Sequence, residues 1–237
     1  AEARLSRTPG TARLRRQLLA DALEFHRRLG RSADADGDRL QFARARAETR
    51  LATLHIDLGE LGAAKPLLQS AVATLQRLGA ADDATSERQQ ELAWCSEQMA
   101  NVAGRTGDGP TYLRSQQDAV AGYRRLAAAT SDPRHVEGLL RCELGLARAH
   151  ARLRDGAAAM QQLDALDRRF ADDAAALQAL RPERRTTTWA EVAEARGVLQ
   201  ASAGDAAAAA DSFAEAARRL ATLPEAAATD DDVAQTW

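Results

Sequence analysis

Residues 51–71 read LATLHIDLGELGAAKPLLQSA, and residues 197–216 read GVLQASAGDAAAAADSFAEA. In each stretch a small residue is followed seven positions later by a glycine, and the glycine is followed five positions later by an alanine. A large apolar residue comes four positions after that alanine, and another alanine three positions further on. This spacing favours two antiparallel helices, because the glycine ends the first helix in a tight turn and the small residues let the helices approach closely.

This spacing pattern, which we call the frame, also fits two places between these stretches. In one of them Tyr112 stands where the first alanine is expected, and in the other Arg154 stands where the glycine is expected. The turn positions Gly59, Gly107, Arg154 and Gly204 recur at intervals of 48, 47 and 50 residues. A pattern that recurs at such intervals is typical of a repeat architecture, and it predicts four helical hairpins.

This order of small, glycine, alanine, large and alanine positions resembles the tetratricopeptide repeat (TPR) family, with the best match at 52–71 and 197–216. The usual period of the family is about 34 residues, so we expect longer helices or extra turns, such as 171–182. The resemblance implies an all-α, TPR-like α-solenoid of antiparallel helical hairpins. It also implies a scaffold that binds a protein or peptide, with no catalytic residues and no cofactor.

The composition agrees with helices. The chain has 237 residues, of which 45% are hydrophobic but only 4% aromatic, and alanine dominates the apolar positions. Alanine has the best helix propensity, and no period-two runs of β-branched residues suggest strands. The net charge of −2 argues against a general nucleic-acid binder. No apolar run is long enough for a membrane segment, and nothing exports the chain, so we expect a cytoplasmic protein.

We divide the chain into an N-terminal helix and loop (1–37), four TPR-like hairpins (38–223) and an acidic tail (224–237). Because the chain begins at Ala1, we expect it to be a piece of a longer protein. About nine helices are predicted, at 11–29, 38–58, 62–78, 86–105, 110–129, 134–153, 156–170, 186–203 and 206–222.

The sequence carries no residue pattern typical of catalysis or metal binding. His26, His55, His135 and His150 form no paired zinc motif. Cys95 and Cys142 have no CxxC partner and are expected to be half-buried free thiols. The glycines of 104–110 lack the lysine of a phosphate loop and fit a turn. Carboxylates are abundant and are expected mostly in loops or on polar helix faces, where they are solvated.

Candidate ligand-binding residues come from the frame. In the TPR family, one side of the first helix of each hairpin lines a concave surface. We call this side the helix-A face. Its predicted partner-binding residues are Arg46, Arg50, Thr53, Glu97, Asn101, Arg105, Arg141, Arg148 and Arg152. Thr49, Trp94, Gln98, Leu144, Glu191, Glu194 and Val198 share the face.

Arginine grips carboxylates through two parallel hydrogen bonds, so this face predicts an acidic segment as the partner. Asn101 offers a donor and an acceptor to a peptide backbone, although a solvated polar residue fits equally. Arginine is frequent throughout the chain, with Lys65 as the single lysine, so a GC-rich genome explains the arginines as well. Thr49 and Thr53 replace the Lys and Asn of the family's carboxylate-gripping set. Uneven charge along the chain also favours homo-oligomers.

A second hypothesis makes the chain a non-catalytic regulatory or sensor module of a larger bacterial signalling protein. Residues 8–25 (TPGTARLRRQLLADALEF) resemble the start of repeat arrays that follow the kinase domain in some large bacterial serine/threonine kinases. A third hypothesis, an α-bundle enzyme, would need clustered polar residues in the core.

Overall fold

The computed structural model describes residues 17, 21, 24, 37–79, 86–130, 132–172, 177–178 and 180–223. Across these ranges the elements are helices without a strand, which confirms the predicted all-α class. The helices are α1 (Gly37–Asp57), α2 (Leu61–Gly79), α3 (Ser86–Thr106), α4 (Gly109–Ala129), α5 (Pro133–Arg152), α6 (Gly156–Asp172), α7 (Pro182–Ser202) and α8 (Ala206–Leu220).

Seven of these helices begin and end within two residues of the predicted bounds. The exception is α7, which begins at Pro182 and not at 186. Proline suits the first helical turn because its φ is already helical and its missing N–H needs no partner there. The polar residues 183–185 gave no apolar periodicity, so the pattern missed this first turn.

Two predicted segments lie outside the described residues. The helix at 11–29 is described only at residues 17, 21 and 24, and the acidic tail at 224–237 is not described. The division of the chain at residues 37 and 223 therefore stays a prediction. Between α6 and α7, the predicted extra piece contributes Leu177 and Leu180, which are both buried.

The turns between paired helices show why the frame recurs. Gly59, Gly107 and Gly204 have φ values of 76°, 76° and 85°, and Arg154 has a φ of 64°. These are left-handed conformations, which glycine adopts at little cost and other residues rarely adopt. The structure thus confirms that Arg154 occupies the position of the glycine, in a backbone conformation that its side chain disfavours.

An acidic residue follows each of these turn residues and serves the next helix. Asp108, Asp155 and Asp205 accept hydrogen bonds through Oδ1 from the backbone N–H of residues 111, 158 and 208, at 3.2, 3.0 and 3.1 Å. This satisfies one of the otherwise unpaired N–H groups at a helix start. At the same position, the Glu60 carboxylate lies 2.6 Å from Nδ1 of His55.

The chain forms two compact units, residues 1–122 and 123–237, and α4 is divided between them. In the first unit the small and large frame positions form the core. Ala52, Ala64, Leu68 and Ala71 are all fully buried. A Cβ added to Gly122 would lie 2.7 Å from the Cβ of Ala93, so α4 contacts α3 with almost no space between them.

The second unit packs α5, α6 and α7 around Leu140, Leu163 and Val192, and α8 packs on α7 through a separate small cluster of alanines. In its last hairpin the small and large frame positions meet directly, because a Cβ added to Gly197 would lie 2.8 Å from the ring of Phe213. That ring is still 40% exposed. The same frame therefore gives a closed core in the first hairpin and a half-open one in the last.

Candidate ligand-binding face

In the first unit, the predicted arginines of α1 already have acidic partners on α3. Arg46 Nη1 lies 2.7 Å from Glu87 Oε1, and Arg46 Nε lies 3.6 Å from Glu91 Oε2. Arg50 Nη2 lies 3.8 Å from the same Glu91 oxygen. The guanidinium of Arg50 also covers the ring of Trp94, with Cζ 4.0 Å from the ring centroid. Contacts with α3 thus orient both arginines.

Glu91 is the buried member of this group. Its side chain is 7% exposed, and Oε1 has no hydrogen-bond partner within the described part of the chain. Burial raises the pKa of Glu91 above its ordinary value, while Arg50 and Arg46 act in the opposite direction. The carboxylate therefore neutralises part of the positive charge that the sequence assigned to a ligand.

The other predicted residues of the first unit have different surroundings. The Thr53 hydroxyl donates to the Thr49 carbonyl at 2.9 Å. Arg105 Nη1 donates to the Ile56 carbonyl at 3.0 Å, near the C-terminal end of α1, where a cation is favourable. Asn101 is exposed, and Glu97 is half-buried. Arg105 is exposed as well, so both Asn101 and Arg105 are open to solvent.

Two positions of the helix-A face belong to the core. Thr49 is fully buried and Leu144 is 1% exposed. The interpretation that they share a ligand-facing surface was therefore wrong. Both lie ten residues before the turn residue, at a phase of the helix that points inward in both units.

In the second unit, α5, α6 and α7 enclose an open groove of about 240 Å³. Arg148 and Arg152 of α5 lie on one side of it, and Glu194 of α7 lies on the other. The remaining lining is apolar: Ala147, Ala151, Leu163, Ala195, Val198 and Leu199. The structure thus brings two predicted arginines together with Glu194 and Val198 of the same face.

The remaining arginine, Arg141, lies at the edge of a second ion-pair group. Its Nη1 is 4.0 Å from Glu137 Oε1, and the same oxygen lies 2.6 Å from Nε of Arg184 on α7. Nearby, burial raises the pKa of Glu191, against the influence of Arg148 and Arg184. Charges of both signs therefore meet between α5 and α7: Glu137 of α5 pairs with Arg184 of α7, and Arg148 of α5 acts electrostatically on Glu191 of α7.

Three buried glutamates, namely Glu91 and two others, were missed by the sequence analysis. Glu48 is 1% exposed and lies 2.9 Å from Arg44, whereas Glu143 is 6% exposed and lies about 3 Å from both Arg124 (3.0 Å) and Arg169 (3.1 Å). Both stand eleven residues before a turn residue. The expectation that carboxylates lie on solvated faces was wrong for them and for Glu91. The position of Glu48 and Glu143 eleven residues before a turn residue, on the inward side of the helix, was the sequence signal that could have predicted their burial.

The cysteines are buried, and two of the histidines contact acidic residues at turns. Cys95 and Cys142 are free thiols, as predicted, but they are fully and not half buried. Burial raises the pKa of Cys95 to about 12, which leaves little reactive thiolate at neutral pH. His55 and His150 both stand four residues before a turn residue and contact the acid that follows it. No metal-holding group of three or more His, Cys, Asp or Glu occurs among the described residues.

None of the helices in the described ranges is long and apolar enough to span a bilayer.

Two solved structures resemble this fold. BtubC (BKLC) from P. vanneervenii superposes with a TM-score of 0.61 at 18% identity, covering 95% of this chain and 80% of that one. A putative kinesin light chain of nearly identical TPR-like repeats from P. anserina gives a TM-score of 0.56 at 18% identity, covering 90% of this chain and 98% of that one. No family model and no curated protein matches the chain. The chain therefore has a TPR-like helical repeat fold, as predicted.

Proposed function

We propose that the chain is a protein-interaction scaffold that binds a partner protein or peptide on its helix-A face and turns over no substrate. TPR-like helical repeats commonly serve as interaction scaffolds, which supports the class of function. The observation that carries the proposal is the groove in the second unit. It combines an apolar lining with the charged side chains of Arg148, Arg152 and Glu194, which is the composition of a recognition site.

The first unit supports the same function with an acidic partner. The side chains of Arg46 and Arg50 are each 43% exposed, although they contact Glu87 and Glu91. Glu87 is 61% exposed, and ion pairs at such exposed positions contribute little stability. A carboxylate of a partner can therefore replace Glu87 at small cost, while the stacking on Trp94 keeps Arg50 in place.

A charge reversal on α5 tests the proposal. The triple variant Arg141→Glu, Arg148→Glu, Arg152→Glu is compared with the matched triple variant Arg114→Glu, Arg125→Glu, Arg168→Glu, whose exposed arginines lie on the second helices of hairpins. Proteins captured from the native lysate are quantified by mass spectrometry. We expect specific partners to be lost by the first variant and kept by the second. Equal capture by both variants would mean that α5 does not bind the partner.

A second candidate function is a regulatory module of a larger signalling protein such as a serine/threonine kinase. It is supported by the resemblance of residues 8–25, which lie outside the described residues except at 17, 21 and 24. The sequence of the complete gene tests it, because a kinase domain should precede this chain in the same reading frame. A reading frame with no signalling domain removes this candidate and leaves the scaffold proposal unchanged.

A further inference from the structure

Two charged side chains of opposite sign, Arg148 on α5 and Glu194 on α7, line the groove of the second unit. Neither makes a salt bridge or hydrogen bond to the described part of the chain, although Arg148 acts electrostatically on Glu191. Elsewhere on the helix-A face, Arg46, Arg50 and Arg141 have acidic neighbours within 4.0 Å. In the groove, by contrast, a positive and a negative side chain lie on opposite sides without a salt bridge between them.

The lining between these charges is apolar. Ala147, Ala151, Leu163 and Leu199 lie along the groove, and Val198 at its edge is 52% exposed. Its volume of about 240 Å³ is below the range of about 300–1,000 Å³ that holds a drug-sized ligand. A space of this size suits one large apolar side chain of a partner, whose burial against these residues would provide much of the affinity.

We propose that the groove between α5 and α7 binds a partner segment in which one large apolar side chain lies between an acidic and a basic side chain. The acidic group contacts Arg148, and the basic group contacts Glu194. This rests on the proposed function and specifies its partner in the second unit. A uniformly acidic segment is disfavoured here, because its second carboxylate would face Glu194 and like charges repel across an interface.

Selection from a phage library of random peptides tests this preference. The library is panned on the purified chain, on Arg148→Glu, on Glu194→Arg and on Ala151→Phe, with Arg125→Glu as the matched control. The wild-type chain and the control are expected to enrich peptides with an aliphatic or aromatic residue between an acid and a base. Arg148→Glu should enrich peptides with bases on both sides, and Glu194→Arg should enrich peptides with acids on both sides.

The apolar part is tested by filling the groove. Phenylalanine at position 151 occupies the space, so it should abolish the preference for a central apolar residue. Circular dichroism checks that each variant keeps its helices. A synthetic copy of the strongest wild-type peptide, followed by fluorescence anisotropy, should bind Arg148→Glu about tenfold more weakly. Replacing the acid of that peptide with lysine should restore binding to this variant.

Three results would overturn the inference. Enrichment of uniformly acidic peptides on the wild-type chain contradicts the mixed charge but leaves the scaffold function intact. Enriched peptides whose binding is insensitive to Arg148→Glu and Glu194→Arg but lost with Arg50→Glu assign the ligand to the first unit. An absence of any enriched motif contradicts the inference, and the capture of whole proteins by the α5 variants then decides the proposed function separately.

Discussion

The two units use charge on their helix-A faces in different ways. In the first unit, Arg46 and Arg50 of α1 meet the glutamates of α3, so the positive charge is largely matched inside the protein. In the second unit, Arg148 and Glu194 line an apolar groove without a salt bridge among the described residues, and Arg148 acts electrostatically on Glu191. An arginine in a salt bridge must exchange partners on binding, whereas Arg148 has no salt bridge to break. The same repeat frame thus produces one group of arginines in salt bridges with α3 and one groove lined by charges without salt bridges.

The cores of the first and last hairpins also differ. Shortening a core side chain should therefore give the largest difference in stability between the two units. Leu68 and Phe213 occupy equivalent frame positions, but Leu68 is fully buried and Phe213 is 40% exposed. Leu68→Ala leaves a closed cavity and should lower the free energy of unfolding by about 3 kcal/mol. Phe213→Ala should lower it by about 1 kcal/mol, since part of the ring is already in water. Urea unfolding followed by circular dichroism measures both losses, and a larger loss for Phe213→Ala would reverse the comparison of the units.

The buried carboxylates should make stability depend on pH. The pKa of Glu91 is raised in the folded protein. Its contribution to stability is therefore fully present below the ordinary pKa near 4.5 and is lost as pH rises through the folded-state pKa. Glu91→Gln lacks this loss, so its stability relative to wild type should increase from about pH 4 to about pH 7. The pKa of Glu191 in the second unit is also raised, so Glu191→Gln should behave with the same sign.

Urea unfolding across this pH range checks the expectation in both units. A relative stability of Glu91→Gln that falls as pH rises would mean that the ion pairs with Arg46 and Arg50 outweigh the burial of the carboxylate.

Substitutions at two turn residues of the second unit should change stability by a smaller amount. Arg154 holds a left-handed backbone that glycine holds at Gly204. Arg154→Gly should therefore be neutral or raise stability by up to about 1 kcal/mol, whereas Gly204→Ala should lower it by about 1 kcal/mol. Thermal unfolding by calorimetry compares the two variants. A clear loss on Arg154→Gly would show that the arginine side chain contributes contacts that outweigh the backbone strain.

The smallest difference concerns the arginines themselves. Arg50→Ala removes the stacking on Trp94 and the ion pair with Glu91, which should lower stability by about 0.5–1 kcal/mol. Arg148→Ala removes no salt bridge, only the longer-range influence on Glu191, and should change stability by no more than about 0.3 kcal/mol. The same urea experiment decides between them. Equal losses would remove the distinction between arginines with and without salt bridges.

The sequence was sufficient for the features that depend on one helix or one turn. The spacing of small residues and glycines predicted seven helices to within two residues, and it placed Arg154 in a glycine position that its φ of 64° confirms. The start of α7 at Pro182 was missed because its first turn is polar. Features that depend on one helix alone can be read from periodicity, because they involve no other segment.

Features that depend on two helices were not predictable in this way. The frame assigned Arg46 and Arg50 to a surface, but only the packing of α3 against α1 shows that Glu91 lies against them. The burial of Glu48 and Glu143 likewise depends on their neighbours Arg44, Arg124 and Arg169. A single-helix pattern gives the direction of a side chain and not the identity of the residue opposite it.

Hydrogen–deuterium exchange of the chain with and without its strongest selected peptide tests the central claim most directly. We predict slower exchange in α5 around residues 141–152 and in α7 around residues 191–199, with no change in α2. Both predicted segments line the groove or its edge. Protection confined to α2, α8 or another segment away from the helix-A face, with α5 and α7 unchanged, would contradict the account.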